Sequence, residues 1–136
     1  MPRVFRAMKK EDDNLPLIGP TSTTLGVRPS TDVDLDAQSN VLVNGKGMSV
    51  APNWRDINVN RVPRRMRVIV PGARGSNNTF CFRMGNGAFM QGPVAPGLTL
   101  EPDSPRHGNV APAQVVPLAT YERDLAATRP EWQFQW

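Results

Sequence analysis

Prolines and glycines interrupt this chain so often that they leave room for only one good helix. The 136 residues include 14 prolines and 11 glycines, which separate a series of short apolar segments. Proline removes a backbone hydrogen-bond donor and glycine weakens helices and strands, so such segments are typical of short strands joined by turns and loops. The sequence therefore predicts one loop-rich domain over residues 1–136.

The predicted helix lies near the C-terminus, where buried-type residues recur at the spacing of one helix face. This stripe consists of Tyr121, Leu125, Thr128 and Trp132. Pro117 introduces the stripe, and Pro130 is expected to end the helix, because proline is tolerated only in the first helical turn. An amphipathic helix of this kind packs one face on a core.

Short strands are predicted between the turn signals. They cover Arg3 to Lys9, Met48 to Ala51, Met66 to Val70, Thr79 to Met84, Leu98 to Glu101 and Asn109 to Ala111. An Asn-Gly turn at 44–45 predicts a hairpin between the apolar pair Val41 and Val43 and the strand that begins at Met48. Many short strands with one or two helices indicate an α+β domain with a mostly antiparallel or mixed sheet.

The first 14 residues, "MPRVFRAMKKEDDN", lack the hydrophobic core of a secretory signal, and no apolar run reaches the length of a membrane span. A single cysteine, Cys81, excludes an intrachain disulfide and favours a reducing compartment. We therefore expect a cytoplasmic protein without a membrane partner. If it is exported, we expect a route that needs no signal peptide.

Arginine supplies most of the positive charge. The chain carries 13 arginines, three lysines and a net charge of +4. The planar guanidinium binds phosphate or carboxylate through two hydrogen bonds, whereas a lysine ammonium is a mobile point charge. This bias indicates an anionic partner held in a defined geometry.

Arg6 occupies an unusual place in the first predicted strand. Because side chains alternate between faces, it shares one face with Val4 and Met8. An unpaired charge among apolar residues is costly, so Arg6 must either find an anion or lie at the mouth of a cleft. A long connection follows at residues 9–36, with no regular structure beyond one possible helical turn near Ser22. It is a candidate for a ligand-covering loop.

The stretch "GKGMSVAPNWRD", Gly45 to Asp56, places two glycines before a short strand. Glycines there indicate that the backbone passes close to a ligand or to another part of the chain.

Two strand-end residues are candidates for chemistry. His107 stands at a strand entrance, where an imidazole can hydrogen-bond a ligand hydroxyl, and Glu101 ends a strand as a carboxylate. Both positions are also common for purely structural residues. A Cys81–His107 nucleophilic pair is the weaker idea, since "TFCFRM" favours Cys81 as a small core hydrophobe.

Several common sites are excluded by composition or order. One cysteine and one histidine do not make a structural zinc site, and no metal is predicted. "NGKGMS" lacks the order of a Walker phosphate loop, and the Rossmann fingerprint is absent. The arginines at 61, 64, 65, 67 and 74 form either a phosphate-contacting surface or a solvated face, without the interleaved aromatics that stack on single-stranded nucleic acid.

Taken together, the motifs resemble the small ADP-ribosyltransferase-like toxin family. That family is typified by a cytosol-acting effector of bacterial type VI secretion, with other bacterial and fungal relatives. The resemblance runs from about Val4 to Trp132 and is carried by "VFRAM", "LGVRPSTDVDLD", "GKGMSVAPNWRD", "VPRR", "FCFRMGNGAF", "APGLTLEPDSPRHG" and "VVPLATYERDLAATRPEW".

The resemblance implies two packed, mostly antiparallel sheets around a cleft that holds NAD. It also implies toxicity in the cytoplasm of the target cell, a cognate immunity protein that blocks the cleft, and a macromolecular acceptor of unknown identity. The expected activity is ADP-ribosyl transfer or NAD glycohydrolysis. The alternatives are an arginine-rich nucleic-acid-binding or ribonuclease module, and a non-catalytic domain of the same fold.

The resemblance also assigns residues to the site. Arg6 matches the arginine of the family's first strand and would anchor the diphosphate, while Ser49 would bind the nicotinamide-side ribose or hold the catalytic acid. Gly45 and Gly47 would let backbone amides approach the nicotinamide carboxamide, and Trp54 would stack on a ring or wall the pocket. We expect Arg6→Ala and Ser49→Ala each to abolish toxicity in a folded protein.

The catalytic acid is the main departure from the wider superfamily. Protein-arginine transferases carry a glutamate with Glu or Gln two residues before it, and no such pair occurs here. Glu101 is the candidate that would stabilise an oxocarbenium-like centre, with Glu122 as an alternative on the predicted helix and His107 as a further catalytic candidate. Met48 stands where the family can have a threonine before the serine.

Overall fold

The computed structural model describes all 136 residues, and nine short strands dominate it. They are β1 (Val4–Met8), β2 (Asn40–Val41), β3 (Met48–Val50), β4 (Phe80–Met84), β5 (Gly92–Ala95), β6 (Leu98–Ser104), β7 (His107–Pro112), β8 (Val116–Pro117) and β9 (Gln133–Phe134). One α-helix, α1 (Leu118–Ala127), follows β8, and 3₁₀ turns lie at Trp54–Asp56, Arg64–Met66 and Arg129–Glu131. The predicted α+β class is confirmed.

The strands form three antiparallel sheets. The largest has the order β3-β7-β6-β5, the second has β1-β4-β9, and β2 pairs with β8 alone. The mostly antiparallel arrangement is therefore confirmed. Long-range pairings such as β1 with β4 and β3 with β7 join segments far apart in the chain.

The two larger sheets meet edge to edge at β1 and β3. A single bridge joins them, with the Phe5 amide donating to the Ala51 carbonyl at 2.8 Å and the Ala51 amide donating back at 2.9 Å. We call this junction the seam. It brings Arg6 of β1 next to Ser49 of β3.

Strand β1 is buried on both faces, and each face belongs to a different core. Val4 and Met8 face the larger hydrophobic cluster, which includes the buried residues of α1. Phe5 and Ala7 face the smaller cluster, formed with the segment between β3 and β4. Arg6 therefore lies in the most enclosed strand of the molecule, at 5% exposure.

The helix stripe behaves as predicted. The side chains that define it, Tyr121, Leu125, Thr128 and Trp132, are all buried. Helix α1 ends at Ala127, and Pro130 lies in the 3₁₀ turn that follows. Only Tyr121 and Leu125 lie within α1, where neighbouring turns bury the same face, whereas Thr128 and Trp132 are buried beyond the end of the helix.

The predicted strand at 66–70 is wrong. Its first residue ends the 3₁₀ turn Arg64–Met66, and further turns follow, closed by the Val70 amide donating to the Met66 carbonyl at 2.7 Å. Val68 is 95% exposed, so the alternation of this segment reflects no buried sheet face. An apolar alternation of five residues makes a strand only where a sheet edge is free to receive it.

The predicted hairpin across Asn44-Gly45 is also wrong, although Gly45 does turn the chain with a φ of +85°. Its flanking strands take other partners, β8 for β2 and β7 for β3. Strand β5 was not predicted, because Gly92 and Pro93 are residue types that usually interrupt strands. It is an edge strand, where a missing amide is tolerated.

The Tyr121 hydroxyl fixes helix α1 to the large sheet. It donates to the Val110 carbonyl and accepts from the Met48 amide at 3.1 Å, so it bridges β7 and β3. Burial raises the pKa of this phenol, which therefore stays protonated and able to donate. We expect Tyr121→Phe to lower the free energy of unfolding by about 1–3 kcal/mol, because two buried backbone groups lose their partner. Urea unfolding measures the loss, and a change below 0.5 kcal/mol would contradict the bridge.

Candidate functional site

A cavity of about 380 Å³ opens at the seam. Its polar lining comes from five segments of the chain and includes Arg6, Ser49, Asp56, Arg61, Arg106 and His107. Its volume lies in the range of about 300–1,000 Å³ that is usual for small-molecule sites. Three of the residues that the sequence assigned to the site, Arg6, Ser49 and His107, are therefore brought together.

The guanidinium of Arg6 is held by backbone carbonyls. Its Nη1 donates to the Ser49 carbonyl at 2.7 Å, and its Nε donates to the Thr24 carbonyl at 3.1 Å. Its Nη2 contacts the carbonyls of Thr24 at 2.9 Å, Thr21 at 3.2 Å and Gly26 at 3.4 Å. Arg6 thus ties the loop at residues 21–26 to both sheets, and only one Nη1 hydrogen stays free.

The charge of Arg6 has no carboxylate in contact. Burial and the neighbouring Arg61 lower the pKa of Arg6 to about 10, which still leaves it charged at neutral pH. The Arg61 side chain, on the cavity wall, forms no hydrogen bond or ion pair. Arg106 lies 4.0 Å from Asp56 and is otherwise exposed. The cavity therefore presents a net positive field to an anionic ligand.

A chain of hydrogen bonds crosses the cavity wall from Ser49 to Asp103. The Oγ of Ser49 lies 3.1 Å from Nε2 of His107. Nδ1 of the same ring lies 2.8 Å and 2.9 Å from the two carboxylate oxygens of Asp103. Since the carboxylate only accepts, Nδ1 donates to it, and in the neutral imidazole Nε2 then accepts from the serine hydroxyl.

Strand register explains why these three side chains meet. Ser49 pairs with Asn109 across β3 and β7, and His107 lies two residues earlier on the same face. Asp103 enters from β6 through the tight turn that joins it to β7, in which Ser104 pairs with His107. Next to these residues, the side-chain amide of Asn109 donates to the Gly45 carbonyl at 3.0 Å and so ties β7 to the segment before β3.

The two glycines of the "GKG" stretch are required by the path of the backbone and not by a ligand. A Cβ on Gly47 would lie 2.3 Å from the Val110 carbonyl oxygen, so glycine is needed for the close approach of β3 and β7. Gly45 turns the chain at positive φ with open space around it. Neither residue lines the seam cavity.

Two other residues assigned from the sequence lie outside the cavity. Glu101 is two strands away from Ser49 in the sheet, and its carboxylate accepts from Nε2 of Gln91 at 3.0 Å and 3.1 Å. Trp54 packs edge-on against Trp136 at 6.0 Å between ring centres, beneath the guanidinium of Arg55. Neither side chain is in place to contact a ligand in the cavity.

Burial raises the pKa of Cys81 to about 12, and its side chain packs in the smaller core. It is therefore no thiolate nucleophile at neutral pH.

Several arginines of residues 61–74 form hydrogen bonds within their own loop. Arg65 donates to the carbonyls of Asn77 and Thr79, and Arg67 donates to that of Ala73. Arg74 bonds the Asn60 side chain. These bonds use both Nη atoms of Arg65 but only Nε of Arg67 and Arg74, whose remaining guanidinium donors are available to an anion.

Asp103 was not predicted as a site residue, and Arg61, Arg106 and Asp56 were not assigned to the site. A usable signal was the spacing in "DSPRH": a carboxylate and a histidine four residues apart across a proline-containing turn face each other when the turn closes a hairpin.

A larger cavity of about 660 Å³ lies elsewhere, beside α1 and the end of β4. It contains none of the residues assigned from the sequence, so the seam cavity is chosen for the residues that line it and not for its size.

No group of three or more His, Cys, Asp or Glu side chains is arranged to hold a metal ion. None of the helices has the length and apolar character needed to cross a membrane.

The fold and the cavity together define a small α+β protein with a cation-rich polar site where two antiparallel sheets meet. Comparisons with protein-family models, with curated proteins and with solved structures found no significant match.

Proposed function

We propose that the protein is a toxin that binds NAD in the seam cavity and cleaves the bond between nicotinamide and ribose. The observation that carries the proposal is the meeting of Arg6 and Ser49. These residues come from distant segments, were assigned before the structure was known, and line one cavity, where the Arg6 guanidinium donates to the Ser49 backbone carbonyl at 2.7 Å.

The charge of the cavity supports an anionic dinucleotide. Most N–H groups of Arg6 donate to backbone carbonyls. Arg6 therefore stabilises the cavity wall and supplies a fixed positive charge. Arg61 and Arg106 are the guanidiniums available to the diphosphate, because neither is bound to a backbone carbonyl.

The chemistry requires stabilisation of positive charge on the ribose as nicotinamide leaves. The Ser49 hydroxyl, held by His107, is the polar group at the cavity wall that can bind a ribose hydroxyl. The ADP-ribose then passes to water or to an acceptor. The site of action is the cytoplasm of a target cell, and a cognate immunity protein would block the cavity mouth.

The test is release of nicotinamide from NAD by purified protein, with cellular NAD and growth after induced expression as a second readout. We expect Ser49→Ala to reduce kcat by about 10²–10³-fold, as for the loss of one pre-organised hydrogen bond at a reacting centre. Ser76→Ala, a change at an exposed serine outside the cavity, serves as the matched control and should behave as wild type.

Equal NAD loss with wild type and Ser49→Ala would place the activity elsewhere. A toxic wild type that leaves NAD untouched would overturn the proposal in favour of a non-catalytic or nucleic-acid-directed toxin.

A further inference from the structure

We infer that Asp103, His107 and Ser49 form a proton-accepting relay that activates a hydroxyl acceptor, so that ADP-ribose passes to water or another hydroxyl and not to a guanidinium. This inference rests on the proposed function. Because the chain lacks the glutamate pair of the protein-arginine transferases, its catalytic base was not identified from the sequence. The inference assigns that base, and it names the chemical class of the acceptor.

The geometry of the relay is that of a serine–histidine–carboxylate arrangement. Both contacts of the imidazole, 3.1 Å to Ser49 and 2.8 Å to Asp103, lie within hydrogen-bonding reach. Asp103 holds the ring in one orientation and stabilises the imidazolium when Nε2 takes a proton. Asp103 is therefore a positioning residue, and His107 is the base.

The relay is open to an incoming acceptor. The His107 side chain is 43% exposed and that of Asp103 is 52% exposed, while Ser49 is half-buried in the cavity wall. An acceptor hydroxyl can therefore approach from solvent and hydrogen-bond Nε2 or the serine oxygen. A base sealed inside the core would have no such access.

Electrostatics disfavours a cationic acceptor. Arg6, Arg61 and Arg106 line the cavity, and Asp56, which lies 4.0 Å from Arg106, is the one carboxylate among the lining residues. A guanidinium acceptor would therefore meet three like charges against one carboxylate. A neutral hydroxyl meets no such repulsion and gains nucleophilicity when its proton passes to imidazole.

The step balances as follows. The acceptor oxygen forms a bond to the ribose C1′, and the bond from C1′ to the nicotinamide nitrogen breaks. Its electron pair stays on that nitrogen, so the cationic ring leaves as neutral nicotinamide. The acceptor proton passes to Nε2 of His107, directly or through Ser49, and then to solvent. With water, the products are ADP-ribose, nicotinamide and one proton.

The first experiment measures kcat and KM for nicotinamide release by folded variants. We expect His107→Gln to lower kcat by about 10²–10⁴-fold with KM for NAD nearly unchanged. Asp103→Asn should also lower kcat, and Asp103→Glu should recover part of it, a rescue that a merely structural role would not give. Asp12→Asn, an exposed carboxylate without a side-chain hydrogen bond, is the control.

The second experiment uses wild-type protein and competing acceptors. Methanol should divert part of the product to methyl ADP-ribose, whereas agmatine, a guanidine, should give no adduct. An agmatine adduct would overturn the inference, as would full activity of His107→Gln, and in both cases NAD cleavage itself would still stand. Absence of nicotinamide release from wild type would instead overturn the proposed function together with the inference.

Discussion

Replacing Arg6 with alanine is expected to lower the free energy of unfolding by about 2–6 kcal/mol, because two buried carbonyls lose their hydrogen-bond donor. The guanidinium satisfies the carbonyls of Thr24 and Ser49 at the seam, where water has little access. Each buried acceptor left unpaired costs about 1–3 kcal/mol. Small domains have a free energy of unfolding of only about 5–15 kcal/mol, so the variant would lose a large share of its stability.

Urea unfolding of Arg6→Ala beside Arg3→Ala checks this expectation. Arg3 lies next to the same strand but is exposed, over the ring of Phe5, so its loss should cost no more than about 1 kcal/mol. Any loss of toxicity in Arg6→Ala is therefore expected from destabilisation of the cavity wall and not from a lost diphosphate contact. Equal stability of the two variants would show that the carbonyls find other donors.

Gly47→Ala is expected to cost about 3 kcal/mol or more, at the upper end of what overpacking does. The added Cβ would lie 2.3 Å from the Val110 oxygen, 2.8 Å from its carbonyl carbon and 2.9 Å from the Cα of Ala111. All three are backbone atoms, so no side-chain rotation relieves the clash. Strands β3 and β7 would have to separate, which would also lengthen the contact between Ser49 and His107.

Thermal unfolding and nicotinamide release, measured on the same preparation, test this prediction. Gly92→Ala is the matched control, because the nearest atom to its added Cβ lies 4.0 Å away and its strand is an edge strand. We expect the control to stay within about 1 kcal/mol of wild type. A Gly47→Ala protein as stable and active as the control would mean that the two strands can shift apart without loss.

The parts of the fold that were predicted are those encoded by local periodicity. The spacing of Tyr121 and Leu125 correctly predicted helix α1, and the alternation around Arg6 correctly predicted β1. The segment at 66–70 and the hairpin at 44–45 failed because pairing depends on which sheet edges are free. A strand pattern alone does not carry that information.

The site divides in the same way. Arg6 and His107 were assigned from their residue types and places in short strands, Ser49 was assigned from the family resemblance, and all three reach the cavity. Glu101 was chosen because it ends a strand, but the register of β6 and β7 puts it two strands away from Ser49. Asp103 was passed over because its meeting with His107 depends on how one turn closes.

Local sequence was enough to establish a chain of short strands with one amphipathic helix, rich in arginine and with a charge that had to be satisfied in its first strand. The tertiary structure decided that carbonyls satisfy this charge and that a histidine and an aspartate complete the serine's surroundings. Periodicity acts over a few residues and can be read along the chain. The edge-to-edge meeting of two sheets joins residues more than 40 positions apart, such as Arg6 and Ser49, and only the folded arrangement fixes which groups face each other there.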